Sequence, residues 1–438
     1  MSGYTLISSL GTGMLKKEGY RKTNYQFPAD DKGAGEKRYE SSLFLDAVLE
    51  TAYRPIKKVI LVGTLTSSWD VLIKDRDNEA NADFWLKVKE ECENKGKGIS
   101  GESIQELEAR LPLWYKNIPF KLAVHSQDFT PENVGRIFST YLELPDFLDR
   151  DTDILFDITH GFRSMSLLVF QSLQLNASKI SDRKVELLYG EYIEDEKISY
   201  VRDLSQYWDY YEISAAKKLF EEKFDGKLLA QKLKPYWESG AKILIRFSEI
   251  VECNFSLQIP EALKQLKNSL KDFSEAGKPQ WLIDVKNNLE RIYNKLSVKE
   301  GENYPVAVSV WEYSKLLRER KLITQAVIAL QVVVETAIAE KYGGPEKIGN
   351  YVWFYGYFDT WEKIKIKGIG VAKLREAYKR DKTVRHVLND LGDLRNQIAH
   401  GGGKDEKEEY PHQAMIKGRL KPVDAAIQQL FAILDQDV

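Results

Sequence analysis

The sequence predicts an α/β domain built on a mostly parallel sheet, followed by two all-α segments. Three observations carry that prediction. Across residues 1–205, short apolar runs alternate with longer helical patterns. Near Gln206 the strand signal fades and amphipathic helical patterns take over. Polar turns rich in glycine and hydroxyl groups follow three of the apolar runs directly. Alternation of this kind puts helices on both faces of a sheet and gathers loops at its carboxyl edge, where open α/β sheets bind ligands.

Taken in order, the expected strands are Tyr4–Leu10, Lys58–Val62, Phe120–Val124, Ile154–Phe156 and Val185–Tyr189. Ile198–Leu204 reads as a last strand pairing with the one before it. Helical patterns fall at Ser41–Ala52, Phe84–Arg110 (interrupted), Pro131–Leu142 and Ser164–Leu175. The predicted domains are 1–205, α/β; 206–304, a helical connecting segment broken at Gly226, 254–260 and 277–279; and 305–438, all-α.

Composition narrows the function. A chain of 438 residues has room for two to four domains, and 43% apolar with 30% charged residues is ordinary for a globular protein. A net charge of −2 provides no global basic field for nucleic acid, so any RNA contact must use a local cleft. Cys92 and Cys253 form neither a disulfide framework nor a metal set, and the expected setting is a reducing cytoplasm. The start, Met1-Ser2-Gly3-Tyr4, enters a strand with no basic, apolar leader, and Ala326–Ala339 is interrupted by Gln331 and Glu335, too short to span a bilayer. No membrane partner is expected.

The three polar crests are the candidate ligand site. Ser8-Ser9-Leu10-Gly11-Thr12-Gly13 lets backbone N–H groups approach an anion, although it lacks the third glycine of a dinucleotide fingerprint. Val62-Gly63-Thr64-Leu65-Thr66-Ser67-Ser68 carries four hydroxyls, of which Ser67 or Ser68 is expected to cap a helix. The most specific is Asp157-Ile158-Thr159-His160-Gly161-Phe162-Arg163-Ser164, with Ser164 expected as a helix cap. Each has a plain structural reading as a tight turn. Three on one sheet edge point to a ligand with few phosphates, met by hydroxyls, amides and a single Arg163.

At the other end, Arg395-Asn396-Gln397-Ile398-Ala399-His400 runs into Gly401-Gly402-Gly403. A guanidinium holds phosphate and an imidazole moves protons near neutral pH, the minimum for RNA cleavage without metal. No carboxylate–histidine cluster with ligand spacing suggests a metal site. Spacing alone is weak evidence, because His386 with Arg380 completes it too. On a continuous helix five residues at about 100° each place Arg395 and His400 about 140° apart. Both reach one phosphate only if the helix ends between them, and a two-fold dimer would set two motifs across one cleft.

Asp157-Ile158-Thr159-His160-Gly161 resembles the Asp-x-Thr-His-Gly motif of CRISPR-associated proteins with a CARF head, a Rossmann-like sensor. The opening Ser8 to Gly13 resembles their first-strand loop, and in the Csm and Csx ancillary ribonucleases of type III systems that head joins a C-terminal HEPN domain. The resemblance implies a homodimer, with further assembly of dimers left open. It implies a cyclic oligoadenylate bound by Gly11, Thr12, Gly13, Thr159, His160 and Gly161, with Gly63, Thr64 and Ser67 carried by position. Ser9, Asp157, Phe162 and Arg163 complete the expected ligand shell. Cyclic tetra-adenylate is the expected activator, cyclic hexa-adenylate the runner-up, and no further cofactor is expected. In this family Arg-x(4–6)-His is the ribonuclease motif, which assigns Arg395, Asn396 and His400 as catalytic toward single-stranded RNA, with 2′,3′-cyclic phosphate and 5′-OH products. The link to a type III effector complex is functional rather than necessarily physical. Ring cleavage by the head is left open, and the alternative is a ligand-responsive regulatory protein without nuclease activity.

Overall fold

A computed structural model describes residues 3–12, 15–16, 19–29, 36–74, 79–94, 96–161, 163–343, 345–349, 376, 382–399 and 413–436. Two compact units divide at Tyr211/Glu212.

The first unit is the expected α/β domain. Its strands are β1 (Gly3–Leu10), β2 (Leu15–Lys16), β3 (Gly19–Tyr20), β4 (Thr23–Phe27), β5 (Lys37–Ser41), β6 (Ile56–Thr64), β7 (Phe120–His125), β8 (Thr152–Asp157), β9 (Val185–Ile193) and β10 (Ile198–Asp203). Eight of them form one sheet in the order β5-β4-β10-β9-β8-β1-β6-β7, while β2 and β3 pair separately. The central five, β7-β6-β1-β8-β9, run parallel. β10 pairs antiparallel with β9, as expected, and register places Val201 opposite Gly190.

The middles of the parallel strands are apolar because helices cover both faces. Successive residues alternate between two cores. Leu6, Val59, Leu61 and Leu155 face one that also contains residues of α1 (Phe44–Thr51), α3 (Glu79–Glu93) and α4 (Gly101–Trp114). Ile7, Ile60, Val62, Ile154 and Phe156 face the other, with α5 (Pro131–Leu142) and α6 (Arg163–Leu175). Two details depart from the sequence expectation. Ser41 closes β5 rather than opening a helix, and its hydroxyl donates to Asp46 at 2.9 Å. β4 and β5 form a hairpin inserted between β1 and β6, which adds to the sheet through β10.

The second unit begins within α8 (Gln206–Lys223) and is helical. Residues 206–304 and 305–438, separate segments in the sequence reading, contribute to one apolar core running from Ile213 to Leu434. Within it, α13 (Pro305–Glu319) and α14 (Ile323–Tyr342) pack together, and the Glu340 carboxylate accepts from the free N–H groups of Val306 and Ala307 at 3.0 Å each. Those donors at a helix start need such an acceptor. By length and apolarity α14 matches a bilayer span, yet Ala326, Val327, Leu330 and Val333 are fully buried in the core. The last described helices are α15 (Lys382–Ala399), α16 (Gln413–Leu420) and α17 (Val423–Gln436).

Candidate functional site

The strand order reverses at β1. The chain moves from β1 to β6 and β7 on one side, then crosses back to β8 and β9 on the other. The loops after β1 and β8 therefore leave the carboxyl edge in opposite directions and open a crevice, the usual ligand position in such sheets.

Register fixes the floor of that crevice. Ser8 of β1 lies beside Asp157 of β8, and its hydroxyl donates to Asp157 Oδ2 at 2.5 Å. The other oxygen, Oδ1, accepts from the Thr159 N–H at 2.7 Å, which curls the chain into the loop after β8. Asp157 is fully buried, so both donors are needed to offset its desolvation. Thr159 in turn accepts from the Gly190 N–H of β9 at 2.8 Å.

Two glycines bring the loops together. Gly161 adopts φ +101°, and a Cβ there would lie 2.8 Å from Ser9 Cβ. A Cβ on Gly11 would lie 3.0 Å from the Gly161 backbone. The β1 and β8 loops touch because neither residue has a side chain. Ser9 Oγ is buried at this contact and has no hydrogen-bond partner among the described residues.

The second crest behaves differently. Ser67 does not cap a helix: its hydroxyl donates to the Leu10 carbonyl at 2.7 Å and accepts from the Thr64 N–H at 2.8 Å, tying the β6 turn to the end of β1. The Ser68 N–H reaches the Gly11 carbonyl at 3.0 Å. Gly63 has no room for a Cβ, which would sit 2.4 Å from the buried Trp69 ring. Thr64 and Ser67 are fully buried, so this crest braces the site from behind.

Above these loops lies a half-open cavity of about 190 Å³, with Gly11, Thr12, His160 and Gly161 in its wall. Tyr20, Leu43, Ser68 and Val71 complete much of the lining, and none of the described lining residues is Lys or Arg. Burial pushes the His160 imidazole below its ordinary value, against the pull of Asp157, and it pushes the Asp157 carboxyl up. Sequence reasoning missed Tyr25, whose hydroxyl lies 2.9 Å from His160 Nε2. The alternation Thr23-Asn24-Tyr25-Gln26-Phe27 was the available signal, with Tyr25 and Phe27 buried.

Of the remaining expected ligand residues, Gly13 and Phe162 lie outside the described residues, and Arg163 is the first residue of α6. Ser164 thus sits inside that helix rather than capping it.

Residues 5–194 match the family model described as CRISPR system endoribonuclease Csx1, CARF domain. The N-terminal domain is CARF-like. Over 426 residues the chain is 22% identical to CRISPR-associated protein MJ1674 of Methanocaldococcus jannaschii, an alignment covering 92% of this chain. The chain spans 63% of that relative's length. The solved structure of Enterococcus italicus Csm6 bound to cyclic hexa-2′-fluoro-hexa-dAMP aligns over 100% of this chain and 95% of that one, with a TM-score of 0.36 and 10% identity, a likeness too slight to carry argument. The Asp157–Gly161 crest and the Gly11 turn of the CARF-like domain fall within the matched residues.

In the second unit, α15 buries Leu391 and Leu394 and turns Arg395 and Asn396 outward. Arg395 Nη1 donates to Asn396 Oδ1 at 3.0 Å. Arg419 of α16 anchors the helix from the side, bonding Asp390 Oδ2 at 2.9 Å and Gln397 Oε1 at 3.1 Å. α15 ends at Ala399. His400 lies outside the described residues, as do the Arg380 and His386 side chains. Among the described residues no three of His, Cys, Asp and Glu come together as a metal site would require.

Proposed function

We propose that this protein is a cyclic-oligoadenylate-activated endoribonuclease of type III CRISPR defence that cleaves single-stranded RNA without metal. The observation that supports it most is the meeting of Gly11 and Gly161 at the sheet's reversal point, within the CARF-like match, below a cavity with His160 and Thr12 in its wall. The cavity is too small for a whole ring, which favours a ligand shared between the heads of a homodimer. Leu167 and Leu175, exposed on α6, favour such a partner face. The first ligand to test is cyclic tetra-adenylate, followed by cyclic hexa-adenylate.

In the second unit, Arg395 holds the scissile phosphate and stabilises its developing charge, with Asn396 fixing the guanidinium plane. His400 transfers a proton as the ribose 2′-oxygen attacks, which yields a 2′,3′-cyclic phosphate and a 5′-OH. Two copies of the motif in a dimer supply the acid and the base.

Calorimetric titration with each ring tests the sensor half. The expected result is saturable binding of one ring per two chains, weakened at least tenfold in Gly11→Val. Absence of heat with both rings would overturn the reading of the head.

A further inference from the structure

The hairpin β4–β5 reaches the ligand loop from outside the recognised motif. We propose that Tyr25 is a positioning residue: it fixes His160 in the Nδ1–H tautomer and leaves that N–H as the donor to an acceptor atom of the bound messenger. This rests on the reading of the crevice as a cyclic-oligoadenylate site.

The position of one hydroxyl proton decides the tautomer. Tyr25 is 1% exposed, with its ring edge-on to Phe44 at 5.3 Å and to His160 at 6.4 Å. A buried phenol O–H needs an acceptor. Among the described residues the hydroxyl's partner is His160 Nε2 at 2.9 Å. The carboxylates acting on the ring, Asp157 of β8 and Asp46 of α1, are engaged elsewhere. Asp157 accepts from Ser8 and Thr159, and Asp46 from Ser41 and Tyr115. If Nε2 carried the ring proton, the phenol proton would have no acceptor. Tyr25 therefore donates, Nε2 accepts, and the imidazole proton sits on Nδ1. Burial supports the same neutral pairing by holding the phenol up and the imidazole down. Gly190 makes the fit close, since a Cβ there would lie 2.9 Å from Thr159 Cγ2 and 3.3 Å from Tyr25 Cε1. β4 and β9 thus clasp the Thr159–His160 pair from the side.

The test is imidazole ¹⁵N NMR of the ligand-free full chain, with the His160 signal assigned by its loss in His160→Gln. The expected wild-type signal is that of an Nδ1–H imidazole. Tyr25→Phe keeps the ring, so the melting temperature should change little. Its His160 signal should move toward the Nε2–H or a mixed form, and affinity for cyclic tetra-adenylate should fall about tenfold. A wild-type Nε2–H signal, or a Tyr25→Phe variant with unchanged tautomer and affinity, overturns the proposal. A shifted tautomer with no binding of either ring by the wild type supports the positioning and sinks the messenger reading instead.

Discussion

Replacing Gly161 with alanine tests the construction of the crevice by adding a single methyl group. Two costs are expected. At φ +101° an L-residue is strained by about 1–2 kcal/mol, as for other left-handed backbone positions. The new Cβ would also lie 2.8 Å from Ser9 Cβ, an atom fixed to a central strand that cannot swing aside, and such overpacking costs about 1–3 kcal/mol. The sum, about 2–5 kcal/mol, lowers the melting temperature of a domain of this size by roughly 4–20 °C. Gly135, exposed inside α5 with nothing within 4 Å of an added Cβ, supplies the control. There the same substitution should stabilise by about 0.5–1 kcal/mol through helix propensity. Differential scanning calorimetry of both variants reads the pair. If Gly161→Ala melts at or above the wild type while Gly135→Ala behaves as expected, the close contact of the β1 and β8 loops is wrong.

Three further outcomes follow from the buried polar groups. Asp157→Ala leaves the Ser8 hydroxyl and the Thr159 N–H without an acceptor at about 1–3 kcal/mol each, so chemical denaturation should show a larger loss than for Ser8→Ala. His125 donates from Nδ1 to the Ser126 carbonyl at 2.7 Å and accepts from the Tyr141 hydroxyl at Nε2, also 2.7 Å, and burial lowers its pKa. The unfolded chain then takes up this proton first as pH falls below about 6.5, so unfolding free energy should drop in acid through that window and the slope should flatten in His125→Gln. Burial pushes the Cys92 thiol up to about 12 while Cys253 is exposed, so native protein at pH 8 should be alkylated once and denatured protein twice, by intact mass.

The parallel core was legible because its strands are buried on both faces and so form continuous apolar runs, as in Ile154–Phe156. The hairpin was not. Thr23–Phe27 alternates correctly, but it is short, and the charged residues after Phe27 gave that region the look of a loop. Tyr25 was missed for a related reason: it meets His160 across 135 positions of chain, and no local spacing encodes that contact. Ser67 shows the limit of capping rules, since a hydroxyl before a helix can equally close the turn behind it, and here Leu10 is its acceptor. The continuous helical core was hidden by Lys299–Pro305, a loop that reads as a boundary yet connects helices packed on one another. The outward placement of Arg395 and Asn396 was readable, because Leu391, Leu394 and Ile398 mark the inner stripe of their helix.

In the proposed function a ligand in the head switches on an RNA cleft built around Arg395 and His400. The decisive assay is cleavage of a fluorescent single-stranded RNA in EDTA, with and without cyclic tetra- or hexa-adenylate and beside His400→Ala. Strong cleavage is expected with one of the rings, little without it, and loss in the variant. Cleavage that ignores both rings and survives in His400→Ala would contradict that function.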